Sequence, residues 1–204
     1  MTVFGGVFVL AGIGLLAFIY ARSSYATGVD VAAEQPVFFS HKHHVDELNL
    51  DCRYCHSSVA VSSFAGMPST ETCMTCHSHI WTTSPMLAPV QDSWQSGIPI
   101  EWNRVYDLPD FVYFDHSIHV AQGVGCETCH GRVDQMPLIW KAESLRMTWC
   151  LECHRQPDQF LRPREEVFTM GYEPDEDQAV LGERLVEEYH IPVGRLTDCY
   201  ACHR

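Results

Sequence analysis

Phe114-Asp115-His116-Ser117-Ile118-His119-Val120-Ala121-Gln122-Gly123-Val124-Gly125-Cys126-Glu127-Thr128-Cys129-His130 places an H-x-x-H pair ten residues ahead of a C-x-x-C-H motif, counted from His116 to Cys126. The same order stands earlier in the chain. Phe39-Ser40-His41-Lys42-His43-His44-Val45 heads Cys52-Arg53-Tyr54-Cys55-His56, with eleven residues from His41 to Cys52. Each F-x-H-x-x-H-V segment thus opens a module. Each module holds a second motif after a loop containing Met67-Pro68 or Met136-Pro137, namely Cys73/Cys76/His77 and Cys150/Cys153/His154. A fifth motif is Cys199/Cys202/His203. All ten cysteines are used, and every second one is followed at once by His.

Two thiols three positions apart suit thioether bonds to the two vinyl groups of one haem edge, and the adjacent imidazole can turn inward onto the iron. Disulfides, zinc sites and thioredoxin-like pairs also use C-x-x-C, but none accounts for a His after every pair. The expectation is five haem c groups with iron at their centres. Cys52, Cys55, Cys73, Cys76, Cys126, Cys129, Cys150, Cys153, Cys199 and Cys202 would attach them, and His56, His77, His130, His154 and His203 would be the proximal ligands. Thiols consumed in this way are unavailable as nucleophiles, so cysteine-protease chemistry is excluded.

The chain carries 26 acidic against 13 basic residues, a formal charge of -13 over 204 residues. That balance excludes nucleic acid as a partner and suits basic or weakly charged proteins. The 46% hydrophobic content includes the cysteines and an apolar N-terminal run. The remaining apolar core is thin, and bulky cofactors are expected to fill the interior.

Val3 to Tyr20 is 18 residues without a charge, about 27 Å as a helix and long enough to cross a bilayer. Tyr20, Arg22 and Tyr25 would sit at the interface, and Gly5, Gly6, Ala11, Gly12 and Gly14 offer small surfaces for helix packing. A retained single-pass anchor in the cytoplasmic membrane is expected in preference to a cleaved leader, for which Ser24-Tyr25-Ala26 is the candidate site. Arg22 lies on the C-terminal side, against the positive-inside rule. Covalent haem attachment outside the cytoplasm nonetheless places the haem region on the periplasmic side.

The expected fold is mostly helix and irregular structure: two c7/c3-like dihaem modules, a fifth haem and one N-terminal transmembrane helix. The boundaries are 1–21 for the anchor, 22–36 for a linker, 37–80 for the first module, 81–110 for a connector, 111–160 for the second module and 161–204 for a C-terminal helix with the fifth haem. The connector, with Pro85, Pro89, Pro99, Pro109, Trp81, Trp94 and Trp102, shows no sustained period and reads as ordered loop. Leu181, Leu185 and Tyr189 recur every four residues, so Asp175 to Tyr189 is predicted to be an amphipathic helix.

Seven histidines lie outside the motifs: His41, His43, His44, His79, His116, His119 and His190. In H-x-x-H on a helix the two imidazoles share a face one turn apart and can reach different haems. His41, His44, His116 and His119 are therefore the expected distal ligands. His43 lies on another face, and His79 is too close to His77 to reach across. Met136, Met147 and His190 all stand as candidates for the fifth distal position. A methionine there would raise the haem potential.

Phe39 to His56, Pro68 to His77, Asp107 to His130, Gly131 to Pro137 and Trp149 to Arg155 closely resemble the pentahaem cytochrome c subunit of alternative complex III, a bacterial quinol-oxidising respiratory complex. The resemblance covers most of residues 37 to 155. It implies an electron-transfer subunit that is not catalytic alone. Electrons from quinol oxidation would pass through it to a monohaem cytochrome c, a soluble carrier or a terminal oxidase. Its implied neighbours are an iron-sulfur subunit and integral membrane subunits that oxidise quinol.

Two other functions are set against this one. A stand-alone quinol dehydrogenase needs its own quinol pocket beside a haem near the membrane, but the first motif begins thirty residues past Arg22. A multihaem nitrite reductase needs an open iron position, often with a motif histidine replaced, and all five motifs here end in His.

Overall fold

The computed structural model describes residues 2–203. Its first element is the helix Thr2–Arg22, apolar on every side and packed against no core. Val3–Arg22 is long and apolar enough to cross a membrane, and none of it is buried by the rest of the chain. A helix apolar all round needs an apolar surrounding other than water. The chain then turns through Gly28, in the left-handed region at φ 71°, and residues 29–33 run against 139–142. Val29 and Lys141 form one isolated bridge and Ala32 and Trp140 another. The Arg146 guanidinium donates to the Ala21 carbonyl at the foot of the N-terminal helix.

The rest is short helices and loops, and among the described residues there is no strand beyond isolated bridges. Few side chains are buried. One cluster joins Val37, Leu87 and Val90, and another joins Leu161, Leu181, Leu185 and Tyr189. The predicted amphipathic helix is Gln178–Glu188, shorter at its start because Asp177 is the N-cap and accepts from the Ala179 N–H at 2.9 Å. Gly182 lies so close to the Asp158 backbone that a Cβ would collide with it, which lets this helix seat on Pro157–Gln159. Gly123, at φ 77°, is pressed in the same way against the Arg162 carbonyl and the Tyr189 ring.

The connector departs from the loop expected there. Pro85–Leu87 is a 3₁₀ turn leading into an α-helix, Ala88–Ser96. Pro89 falls in the first turn, where its missing N–H costs nothing. Gly97 ends the helix at φ 71°, and Val90 and Ser93 face inward against the first cluster.

Candidate cofactor centres

Each C-x-x-C-H motif rides on a short helix: Cys52–Cys55, Thr70–His77, Cys126–His130, Met147–Arg155 and Cys199–Cys202. One helical turn between the paired cysteines places both thiols on the same side. The Asp51 carboxylate caps the first of these helices by accepting from the Arg53 N–H at 2.7 Å. No disulfide joins any of the ten cysteines, and among the described residues no three His, Cys, Asp or Glu side chains converge as a metal cage would require. Burial pushes the Cys126 and Cys129 thiols up to about 12 and Cys153 to about 11.

The two H-x-x-H pairs sit on different turns. His116 opens the α-helix His116–Ala121, capped by Asp115, whose Oδ1 accepts from the Ser117 N–H at 2.8 Å. His41 precedes a wider, π-helical turn, Lys42–Glu47, closed by Leu48 N–H to the His43 carbonyl. Each turn carries a phenylalanine between its imidazoles. Phe39 stacks on His44 and meets His41 edge-on, with centroids 4.4 and 4.9 Å away. Phe114 does the same for His119 and His116 at 4.5 and 4.7 Å.

Three of these imidazoles face a motif histidine. His44 stands 6.3 Å from His77, His116 6.3 Å from His130 and His119 6.2 Å from His154, centroid to centroid. A metal–imidazole bond is about 2 Å and each ring adds its own radius, so two imidazoles on opposite sides of one iron stand about 6 Å apart. The spacing fits that group. Directly stacked rings would lie closer. His41 is the fourth. Burial pushes it down to about 4, helped by nearby His56 and His44, and its Nδ1 is buried without a partner.

Six other Nδ1 atoms are committed. His56 Nδ1 pairs with the Gly66 carbonyl at 2.8 Å, His154 with Leu196 at 2.9 Å and His203 with Phe111 at 3.0 Å. On the donor turns, His44 pairs with Ser40 at 2.8 Å, His116 with Ser63 at 2.8 Å and His119 with Asp115 at 2.7 Å. A carbonyl only accepts, so each Nδ1 carries the proton and each Nε2 keeps its lone pair for a metal. His43 differs: its Nδ1 bonds the Glu47 carboxylate at 2.7 Å and its ring lies over Trp81. His79 and His190 are exposed. Met136 is 1% exposed with every side covered by protein, whereas Met147, at the start of the fourth motif helix, is 64% exposed.

Several contributors carried no sequence signal. The carbonyls of Ser63, Gly66, Leu196 and Phe111 are main-chain groups, which residue identity does not announce. Tyr106 lies in the connector, yet its ring sits 4.3 Å from His130, and its hydroxyl accepts from the Ala142 N–H at 2.9 Å. Burial pushes that hydroxyl up to about 12.

A 98-residue stretch is 41% identical to the multihaem cytochrome c subunit of a menaquinone reductase from Nitratidesulfovibrio vulgaris, covering 48% of this chain and 46% of that protein. The chain thus spans about half the length of the curated relative it matches. The family model for cytochrome c7 and related cytochrome c matches residues 37–88 and 112–204, which takes in all five motifs and both donor turns. Membership carries haem c iron and electron transfer with it. The chain belongs to the family of cytochrome c7 and related cytochromes c.

Proposed function

We propose that the chain is an electron-relay subunit with five haem c groups, working between a membrane quinone-linked assembly and a second redox protein. One observation carries the reading: three donor-turn imidazoles stand 6.2 to 6.3 Å from three motif imidazoles. Bound haem supplies a reversible ferric–ferrous couple. The cysteine pairs at 52/55, 73/76, 126/129, 150/153 and 199/202 attach it, with His56, His77, His130, His154 and His203 as proximal ligands. His41, His44, His116 and His119 are the distal ligands to the first, second, third and fourth motifs in turn. Met147 is the favoured distal ligand for the fifth, because it is exposed on the helix whose His154 bonds the Leu196 carbonyl just ahead of Cys199. Met136 is enclosed by protein.

The apolar helix Val3–Arg22 supports a membrane anchor, and covalent haem attachment outside the cytoplasm is what puts the haem region on the periplasmic side in this reading. The partners are then the remaining subunits of an alternative complex III-like assembly: an iron-sulfur subunit, quinol-oxidising membrane subunits and a monohaem cytochrome c. A soluble carrier or terminal oxidase lies downstream. The name of the relative, a menaquinone reductase subunit, favours a second reading in which the current runs toward quinone. Haem quantification on the purified chain should give five per polypeptide. The assembled complex in lipid should then show haem reduction on adding menaquinol. Fewer than five haems sinks the ligand assignment, and haems that respond to neither menaquinol nor menaquinone sink the quinone-linked role. Haem oxidation by added menaquinone, without reduction by menaquinol, would select the reverse direction.

A further inference from the structure

The contacts that tie one motif to another follow a path that differs from their order in the chain. Tyr54, inside the first motif, shares a hydrogen bond with Thr75, inside the second, at 2.7 Å between hydroxyls. The first and second motifs also draw on one donor turn, His41 to His44. The first motif then meets the third through residues 58–66. In this one loop the Gly66 carbonyl accepts from His56 and the Ser63 carbonyl accepts from His116, both at 2.8 Å, and the Ser62 carbonyl accepts from the Ser117 N–H at 3.1 Å. The third and fourth share the helix His116–Ala121. The fourth meets the fifth where His154 donates to the Leu196 carbonyl, three residues before Cys199. The electrostatic influence of one thiol on another follows the same path, Cys73 on Cys55, Cys52 on Cys126, Cys153 on Cys129 and Cys202 on Cys150.

We infer that the five attachment sites stand in single file in the order second, first, third, fourth, fifth. The inference rests on the reading of the motifs as haem sites. Exposure marks the same two ends. Of the ten cysteines only Cys76 and Cys199 are exposed, one in each terminal motif. Beside His77 lie exposed Ile80 and Trp81, and beside His203 lie exposed Phe111 and Tyr200. The N-terminal helix meets the file at its fourth member, since Arg146, which bonds Ala21, immediately precedes the helix carrying Cys150.

The test is a cryo-electron microscopy structure of the haem-loaded full chain, in which each iron is assigned to its motif. The expected nearest neighbours are second with first, first with third, third with fourth and fourth with fifth. Five irons in another order, or a branched arrangement, would overturn the inference while leaving the proposed function standing. Fewer than five irons would instead count against that function. A second arm attaches a ruthenium photoreductant to Arg195→Cys, at the fifth end, and freezes the sample at intervals after a flash for electron paramagnetic resonance. In the unmodified file the second-motif haem becomes reduced. In Cys126→Ala/Cys129→Ala, which lacks the middle attachment, that reduction is lost while the fourth-motif haem still responds. Unchanged arrival at the second motif in a variant that retains its other four haems would overturn the file.

Discussion

The imidazole of His116 lies nearly parallel to that of His130, with planes 13° apart and centroids 6.3 Å apart, although the two rings come from separate helices. The gap is too wide for a stacking contact and suits one iron between two nitrogens. His116→Ala should therefore leave the covalent haem content unchanged, because Cys126 and Cys129 are untouched. One low-spin haem should become high-spin and bind carbon monoxide. A visible spectrum identical to that of the unmodified protein would remove His116 from the ligand set.

The His44 and His77 rings are the odd pair, turned 62° from each other, against 13° and 28° for the other two pairs. Near-perpendicular axial imidazoles bring the iron d orbitals close to degeneracy, whereas parallel ones split them. Ferric protein should accordingly show one strongly anisotropic low-spin resonance beside at least two rhombic ones. His44→Ala should abolish the anisotropic resonance alone. If it survives that change, the pairing of His44 with His77 is wrong.

Met147 and Met136 give opposite expectations. Met147→Ala should eliminate the charge-transfer band of a methionine-ligated ferric haem and lower one haem potential. Met136→Leu should leave both intact and cost under about 1.5 kcal/mol, as volume-conserving core changes do. Retention of the band in Met147→Ala would turn attention to Met136, and its absence from the unmodified protein would turn attention to His190.

The legible part of the fold was that written as side-chain identity at fixed spacing. Phe39, His41 and His44 match Phe114, His116 and His119, and the structure gives both sets the same Phe-between-imidazoles arrangement. The width of the first turn was not legible, because a π-helical turn differs from an α-helical one by a hydrogen-bond register that His-Lys-His-His does not specify. The helix Ala88–Ser96 was hidden because the connector shows no sustained apolar period, although Pro89 sits where a helix begins. The crossing of the first module to His116 through Ser63 depends on contacts 53 residues apart, and it is made by a carbonyl that any residue would supply.

Arg162 is nearly buried and donates to Glu127 at 2.7 Å and to the Thr169 carbonyl at 3.0 Å, fastening the C-terminal segment over the third motif. Arg162→Met would leave the mostly buried Glu127 carboxylate with only the Gly171 N–H and a more distant Arg132. The expected loss is about 3 kcal/mol, read as a fall in the midpoint of thermal unfolding. An unshifted midpoint would show that the pair contributes nothing net.

Asp134 is buried beneath Arg132, whose side-chain hydrogen bonds hold its carboxyl below the usual carboxylate range. A depressed folded-state value means that this stabilisation is complete above the unfolded value, about 3.9, and fades as pH falls through the folded one. Asp134→Asn should cost about 2 kcal/mol at neutral pH. The gap between variant and unmodified protein should close in acid denaturation below about pH 4. A constant gap down to pH 2 would contradict the assignment.

On the proposed ligand set, each H-x-x-H turn would serve a pair of centres, and that would set the grain size at which such a chain can be altered. Lengthening or losing one turn would disable two cofactors together. The fifth motif, which no H-x-x-H turn precedes, would fall outside this parity. It would be the one centre able to change its axial chemistry without a second being disturbed.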